Sequence, residues 1–346
     1  MDSYRMKNVK GMRDSAEVVA SAGTVAEEPL HNLEHYWQDA GSPLKWDCIF
    51  MLPPWLGAWW SYFGHGLKSH LCVVRHYGTV LGLVPLTFGG DSAHLVSDSD
   101  LIDYSDFIIA PLREAEFFPA IVDYLRRGGV RRLTMERIRA DSAAVSYLRD
   151  YSSLLGCEFS CEAVDVLHEM DLPDSWEGYL ALLTGRERHE TRRKLARLES
   201  AAHVGLQVIE DAEDVSAAME TFMALFRSNQ REKARFMTDT MESFFRTLAI
   251  EMAEAGLLKL FLLDLNNTPA ATALCFDHHS TVYLYNNGYD RRFSNLSVGL
   301  LSKVFSIRES ILRGRRSYNF LRGSETYKRR LGGHPLKLLR CEVILK

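Results

Sequence analysis

The stretch that most narrows the folding options is LLKLFLLDLNNTPAATALCFDHHSTVYLYNNGYD, residues 257–290. It holds three runs of branched, aromatic and aliphatic residues separated by short polar breaks, the pattern of consecutive strands. The first break, Asn266-Asn267-Thr268-Pro269, carries turn chemistry, because Asn tolerates left-handed backbone and Pro fixes φ. Connections this short leave no room for a crossover, so the three strands form an antiparallel meander. A polar hinge, Asp290-Arg291-Arg292-Phe293-Ser294-Asn295, then leads into SVGLLSKVFSIRESILRG, which has apolar residues at helical spacing.

The rest of the chain can be ordered around this block. Downstream come a strand in SYNFL, a short segment GSETYKRRLGG and a strand in PLKLLRCEVIL. Upstream are three helical segments: the strongly basic DSWEGYLALLTGRERHETRRKLARLES, the amphipathic DAEDVSAAMETFMALFRSNQR, and TMESFFRTLAIEMAEAG. The first half repeats the order, with helices in HNLEHYWQDA and PWLGAWWSYF, strands in HLCVVRHYGTVLGLVPLTF, HLVSDS and DYSDFIIAP, and a helix in REAEFFPAIVDYLRRGG. A strand in RRLTMERI, a helix in DSAAVSYLRDYSSLLG and a strand pair in EFSCEAVDVLHEMDL close it. The expected class is α+β: two tandem domains, each a mixed, mostly antiparallel sheet flanked by helices. Their bounds are 31–172 and 173–346, behind a polar, aperiodic tail over residues 1–30 that reads as disordered.

Composition adds limits. The 346 residues are 47% hydrophobic and 25% charged, with net charge −4, so no global basic excess points to DNA. The charge is uneven: residues 302–346 hold twelve Lys/Arg against three Glu, which suits an anionic ligand or a solvated basic surface. Six cysteines at 48, 72, 157, 161, 275 and 341 lie in apolar runs without metal-ligand spacing. They imply neither a metal nor a disulfide framework, and hence a reducing compartment. The first 30 residues lack the apolar core of a signal peptide, and CIFMLPPWLGAWW is too short and Pro-broken to span a bilayer. The expectation is a cytoplasmic, soluble protein.

The hinge has a chemical reading. A helix start leaves amide N–H groups unpaired and carries partial positive charge. Small neutral side chains there let a phosphate or pyrophosphate approach the backbone. Asn295, Leu296, Ser297, Val298 and Gly299 would supply mainly backbone, and Arg291 and Arg292 would add charge. An ordinary Asn or Ser cap beside solvated arginines is the alternative. The corresponding first-half helix starts PLREAEFF, and Glu114 and Glu116 in its first turn would repel such a ligand.

Three passages resemble one known family. SWEGYLALLTGRERHETRRKLARLES, YNNGYDRRFSNLSVGLL and YNFLRGSETYKRRLGG, all lying within residues 175–335, look like the acetyltransferase domains of the cellulose-biosynthesis type in the GNAT superfamily. That group is related to the Fem-type transferases, which add amino acids to peptidoglycan precursors. The resemblance implies two GNAT-like domains, the first degenerate, and an acyl-coenzyme A cosubstrate held by the second. The chain departs from the pattern at Asn319 and Ser324, where the family has acidic residues, and at Ser294 and Ser297 in the cradle.

By resemblance, Tyr327 would protonate the departing thiolate; otherwise it packs on the sheet. Glu325 would serve as base or orient the acceptor, or else pair with Arg322 or Lys328. Asp290 would hold an amine or a sugar hydroxyl, or simply form the turn. Arg322, Lys328 and Tyr285 are expected at the substrate, and Arg188, Arg192 and Arg193 near a phosphorylated acceptor or in solvent. The leading function is transfer of an acyl group from acyl-coenzyme A to an amine such as an amino sugar. A Fem-like transfer from aminoacyl-tRNA and a non-enzymatic saccharide- or partner-binding module are the alternatives.

Overall fold

The computed structural model describes residues 23–98, 100–229 and 231–346, which divide into two compact units. The first contains residues up to Gly57, Gly64–Asp165 and Lys337–Lys346; the second contains Ala58–Phe63 and Val166–Leu336. Among the described residues no helix is long and apolar enough to cross a membrane.

In the first unit the elements run β1 (Thr24–Glu28), α1 (Leu33–Gln38), α2 (Pro53–Phe63, whose last six residues belong to the second unit), β2 (Lys68–His76), β3 (Thr79–Gly89), β4 (Ser92–Leu95), β5 (Ile108–Ile109), α3 (Glu114–Arg127), β6 (Arg132–Arg139), α4 (Ala143–Tyr151) and β7 (Cys157–Asp171), which continues into the second unit. The sheet order is β1-β2-β3-β4-β6, all antiparallel except the parallel β4–β6 pair. Phe117, Phe118, Ile121 and Leu125 of α3 are buried against Val84, Leu86, Leu133 and Met135.

Two expectations are corrected here. The tail expected over residues 1–30 lies outside the described residues as far as 22, but Thr24–Glu28 is a strand paired with β2 rather than disordered chain. Its polar sequence is held by side chains that the pattern does not show. The Glu28 carboxylate accepts from Asn32 Nδ2 at 3.1 Å, Tyr36 Oη at 2.9 Å and Arg75 Nη2 at 3.0 Å. The second correction concerns cysteine: Cys161 and Cys341 form a disulfide across 180 residues of sequence. The last strand, β13 (His334–Leu345), joins the first unit from Lys337 onward and pairs antiparallel with β6. That return brings the two Cα atoms to 4.2 Å, a proximity no spacing in the sequence reveals. Cys48, Cys72, Cys157 and Cys275 are free and buried.

In the second unit come α5 (Trp176–Leu182), α6 (Gly185–Ala201), β8 (Val204–Ile209), α7 (Ala212–Asn229), α8 (Arg231–Phe236), α9 (Asp239–Glu254), β9 (Leu258–Leu265), β10 (Thr268–His278), β11 (Thr281–Tyr289), α10 (Val298–Leu312), β12 (Ser317–Arg322) and α11 (Thr326–Arg330). The order β7-β12-β11-β10-β9-β8 is antiparallel except at β11–β12. The meander forms as expected, with Asn266 and Asn267 both at positive φ, 50° and 62°. β10 is buried on both faces, as a central strand must be. Its Ala271, Ala273 and Cys275 meet Leu301, Val304 and Ile307 of α10. Helix starts follow cap chemistry: Ser175, Thr184 and Thr238 each accept a backbone N–H three residues ahead. EFSCEAVDVLHEMD, expected as a strand pair, is one unbroken strand, and VGLQVI adds the edge strand β8.

Candidate active site

The meander and α10 set up a parting of two strands. β11 and β12 pair over only Thr281–Tyr283 and Ser317–Asn319. β11 then stays with β10 as far as Tyr289, with a bulge that leaves Tyr285 out of register. β12 turns to β7 through a bulge between Asn319 and Leu321, where Leu321 has φ 59°. Asn319 holds that bulge: its Oδ1 accepts from Leu321 N at 2.8 Å and its Nδ2 donates to Glu169 Oε2 at 3.1 Å. A Cβ on Gly288 of β11 would fall 2.5 Å from Phe226 N, so the last turn of α7 lies directly on this strand. β11 and β12 thus part beyond Tyr283 and Asn319, and the opening between them is the candidate cleft.

The hinge sits at the end of β11. Asp290 caps a 3-10 turn, Arg291–Leu296, by accepting from Arg292 N at 2.9 Å. Its carboxylate also accepts from Arg292 Nε at 2.8 Å, and these bonds hold it below the usual carboxylate pKa. Arg291 and Asn295 are exposed, and Arg291 has no carboxylate partner among the described residues. Ser297 lies in left-handed backbone, φ 59° and ψ 29°, and starts α10 without a side-chain cap. The carbonyl of Ser297 takes the N–H groups of Leu300 and Leu301, whereas Val298 and Gly299 N–H find no acceptor among the described residues. A Cβ at Gly299 would meet the Tyr289 ring at 2.5 Å, so that ring occupies the space freed by glycine.

α11 follows β12. Tyr327 is largely enclosed, edge-on to Phe320 at 6.4 Å, and burial raises its hydroxyl pKa well above the ordinary value. Lys328 points inward: its side chain is 2% exposed, and its Nζ donates to Leu321 O at 3.1 Å, to Arg322 O, and to Glu325 Oε2 at 3.0 Å. Glu325 itself is exposed. Tyr285 stacks on Phe245 at 5.8 Å and lies 5.3 Å from the Phe276 ring, inside an aromatic cluster that includes Phe222 and Phe226. On α6, Arg192 pairs with Glu177 and Arg193 with Glu190.

Two lysines here escaped the sequence reading. Lys303, on α10, is 5% exposed; its Nζ donates to Gly299 O at 2.6 Å and lies 4.9 Å from the centre of the Tyr327 ring. Burial first, then the charge of Lys233, brings its pKa down to about 7. Lys233, on α8, donates to Asn287 O at 2.5 Å and sits 4.7 Å over the Phe226 ring; burial brings it to about 8. The available signal was a single Lys on the apolar face of SVGLLSKVF, one helical turn beyond Gly299.

The first unit's equivalent differs. Helix α3 begins with Glu114 and Glu116, and Glu116 pairs with Arg113. Phe117 fills the adjoining space so closely that a Cβ on Gly82 would meet its ring at 2.6 Å.

Residues 185–329 match the family model of the acetyltransferase (GNAT) domain, a segment that contains the parted strands, the hinge and Tyr327. This match indicates that the protein is an acyltransferase. Its fold is similar to that of FemX, with a TM-score of 0.62 at 12% identity over 91% of this chain and 96% of that one. A conserved protein of unknown function from Bacteroides thetaiotaomicron VPI-5482 is similar with a TM-score of 0.58, at 12% identity over 92% and 99% of the two chains. The C-terminal domain (DUF2156) of a putative lysylphosphatidylglycerol synthetase from Agrobacterium fabrum follows with a TM-score of 0.54, at 12% identity over 80% and 84%. No curated protein sequence matches the chain.

Proposed function

We propose that the second unit transfers an acyl group from acyl-coenzyme A to an amine, with an amino sugar or polysaccharide precursor as acceptor, in the manner of the cellulose-biosynthesis-type domains. The observation that carries this reading is the parting of β11 from β12 beside the two unpaired amides that open α10. On this reading Val298 and Gly299 N–H, with the unpaired Arg291, receive the donor's pyrophosphate. The thioester arm runs along β11; the amine attacks the thioester carbonyl, the C–S bond breaks, and Tyr327 gives its proton to the thiolate and regains one from the amine nitrogen. Burial keeps that hydroxyl neutral, so that it can donate a hydrogen bond to the departing sulfur.

Two candidate residues take supporting roles in this scheme. Asp290 is committed to Arg292 and fixes the hinge, and Lys328 is committed to two carbonyls and Glu325 and fixes the turn before α11. Arg322, and Glu325 while paired with Lys328, would contact the acceptor in this scheme. The first unit, with acidic residues and Phe117 where the cradle would be, is a degenerate copy that does not hold the donor. Use of acyl-coenzyme A goes with a cytoplasmic location.

A second reading, an aminoacyl-tRNA donor, is favoured by the likeness to FemX over nearly the whole of both chains and by the basic C-terminal stretch. Turnover of acetyl-coenzyme A with amine acceptors by fully RNase-treated protein supports the first reading. Activity that appears only with charged tRNA, and binding that weakens steeply with salt, replaces it with the second.

A further inference from the structure

Three lysine ammoniums beside the candidate cleft are not treated alike. Lys328 is satisfied in the way a structural lysine must be, with two backbone carbonyls and the Glu325 carboxylate on its three donors. Lys303 has one carbonyl, Gly299 O, and an aromatic face. Lys233 likewise has one carbonyl, Asn287 O, and an aromatic face. Among the described residues neither reaches a carboxylate within ion-pair distance. Nearby Glu325 is exposed and already paired.

Burying the Lys303 ammonium without a counter-charge is expensive, and the charge of the half-buried Lys233 adds to that cost. Hydrophobic packing does not require it. Position 303 lies on a helix whose neighbours Leu301, Val304 and Ile307 are buried aliphatics, and a methionine there would fill the same volume without the penalty. Aromatic faces and single carbonyls offset part of the cost and leave donors unused on both groups.

We propose that the cleft is built to receive an anionic group, a carboxylate or phosphate on either the acyl chain or the acceptor, seated between Lys233 and Lys303. This rests on the acyltransfer reading and narrows its substrate. The ligand completes what the protein leaves open: its oxygens accept from both ammoniums and supply the missing counter-charge. A donor whose acyl group carries a free ammonium would instead add a further positive charge to the same space. The cleft thus selects neutral or acidic acyl groups over aminoacyl groups.

Titration calorimetry decides it, using acetyl- and succinyl-coenzyme A on the parent, Lys303→Met and Lys233→Met. If the anion is on the acyl chain, succinyl-coenzyme A binds the parent at least tenfold more tightly than acetyl-coenzyme A, and either substitution erases the preference. One charge-assisted hydrogen bond is enough for a factor of about ten. If the anion is on the acceptor, the two thioesters bind equally. Succinate or inorganic phosphate then binds the acetyl-coenzyme A-saturated parent, and that binding falls at least tenfold in either variant. Equal thioester binding with no anion binding, or anion effects that survive both substitutions, overturns the proposal. Should neither thioester bind, the acyl-coenzyme A reading fails. Succinate and phosphate titrated into the ligand-free parent and the Lys303→Met variant then decide the receptor independently.

Discussion

Replacing Lys303 by Met should make the protein more stable at pH 6 and progressively less so, relative to the parent, as the solution becomes alkaline. The magnitude follows from the burial of Nζ. In water a lysine titrates at 10.5, and in this core at about 7. Each pH unit of difference corresponds to about 1.4 kcal/mol, so carrying the ammonium in the folded state costs on the order of 4–5 kcal/mol below pH 7. Between pH 7 and 10.5 the unfolded chain holds the proton that the folded one has released. Raising pH through that window therefore favours the folded parent by about 1.4 kcal/mol per unit.

The Met variant has no such term, and Lys233, common to both proteins, largely cancels in the comparison. Met also removes the bond to Gly299 O and the contact with the Tyr327 ring, interactions of about 1 kcal/mol each. Urea denaturation of both proteins at half-unit steps from pH 6 to 9.5 measures the difference. The expected result is a stability gap that favours Met by a few kcal/mol at pH 6 and closes by about 3 kcal/mol by pH 9.5. A gap that stays constant over the whole range would refute the reasoning, because it would mean that Lys303 keeps its ordinary affinity for the proton.

Tyr327→Phe should fold normally and lower turnover by roughly 10²-fold, measured as free thiol released from the acyl donor; full turnover would assign Tyr327 to packing alone. Arg291→Glu, at an exposed and unpaired position, should weaken acetyl-coenzyme A binding about tenfold with unchanged melting temperature; equal affinity by calorimetry would remove the hinge from donor binding. Gly288→Ala should cost about 2–3 kcal/mol in urea denaturation, since its Cβ would meet the backbone of Phe226. Cys341→Ser, or reduction of the parent, should cost about 2–5 kcal/mol through the long loop that the disulfide closes; identical denaturation curves with and without reductant would argue against the bond.

What the sequence disclosed about this fold was local. The meander was legible because strand propensity and a two-residue Asn-Asn turn agree with each other, and the backbone has both asparagines at positive φ. The start of α10 was legible because the helical period begins at a definite residue. Pairing over long distances was not. EFSCEAVDVLHEMD alternates irregularly, so its single strand emerges only from partners distant in sequence, Ser317–Arg322 among them. The Cys161–Cys341 bond depends on the same kind of return. Thr24–Glu28 looks unstructured by composition and is held by Arg75 and Tyr36. In the candidate site, the hinge and Tyr327 could be named from their order along the chain. Lys303 could not, because its chemistry comes from the surroundings rather than from its neighbours in sequence. Asn319, which stands where the resembled domains have an acidic residue, uses a carbonyl oxygen for a backbone bond that a carboxylate would make equally well.

The membership of Lys337–Lys346 in the first unit has a consequence for how the molecule is made. These ten residues leave the ribosome only after all of Val166–Leu336 has been synthesised. The earlier-synthesised unit must therefore wait, with the β6 edge exposed, while the later one already has its whole sequence. An open strand edge attracts chaperones and other chains. Removing the final ten residues should impair the half of the protein encoded first, and a nascent chain stalled before Lys337 should be protease-sensitive in residues 64–165 and more resistant in 166–336.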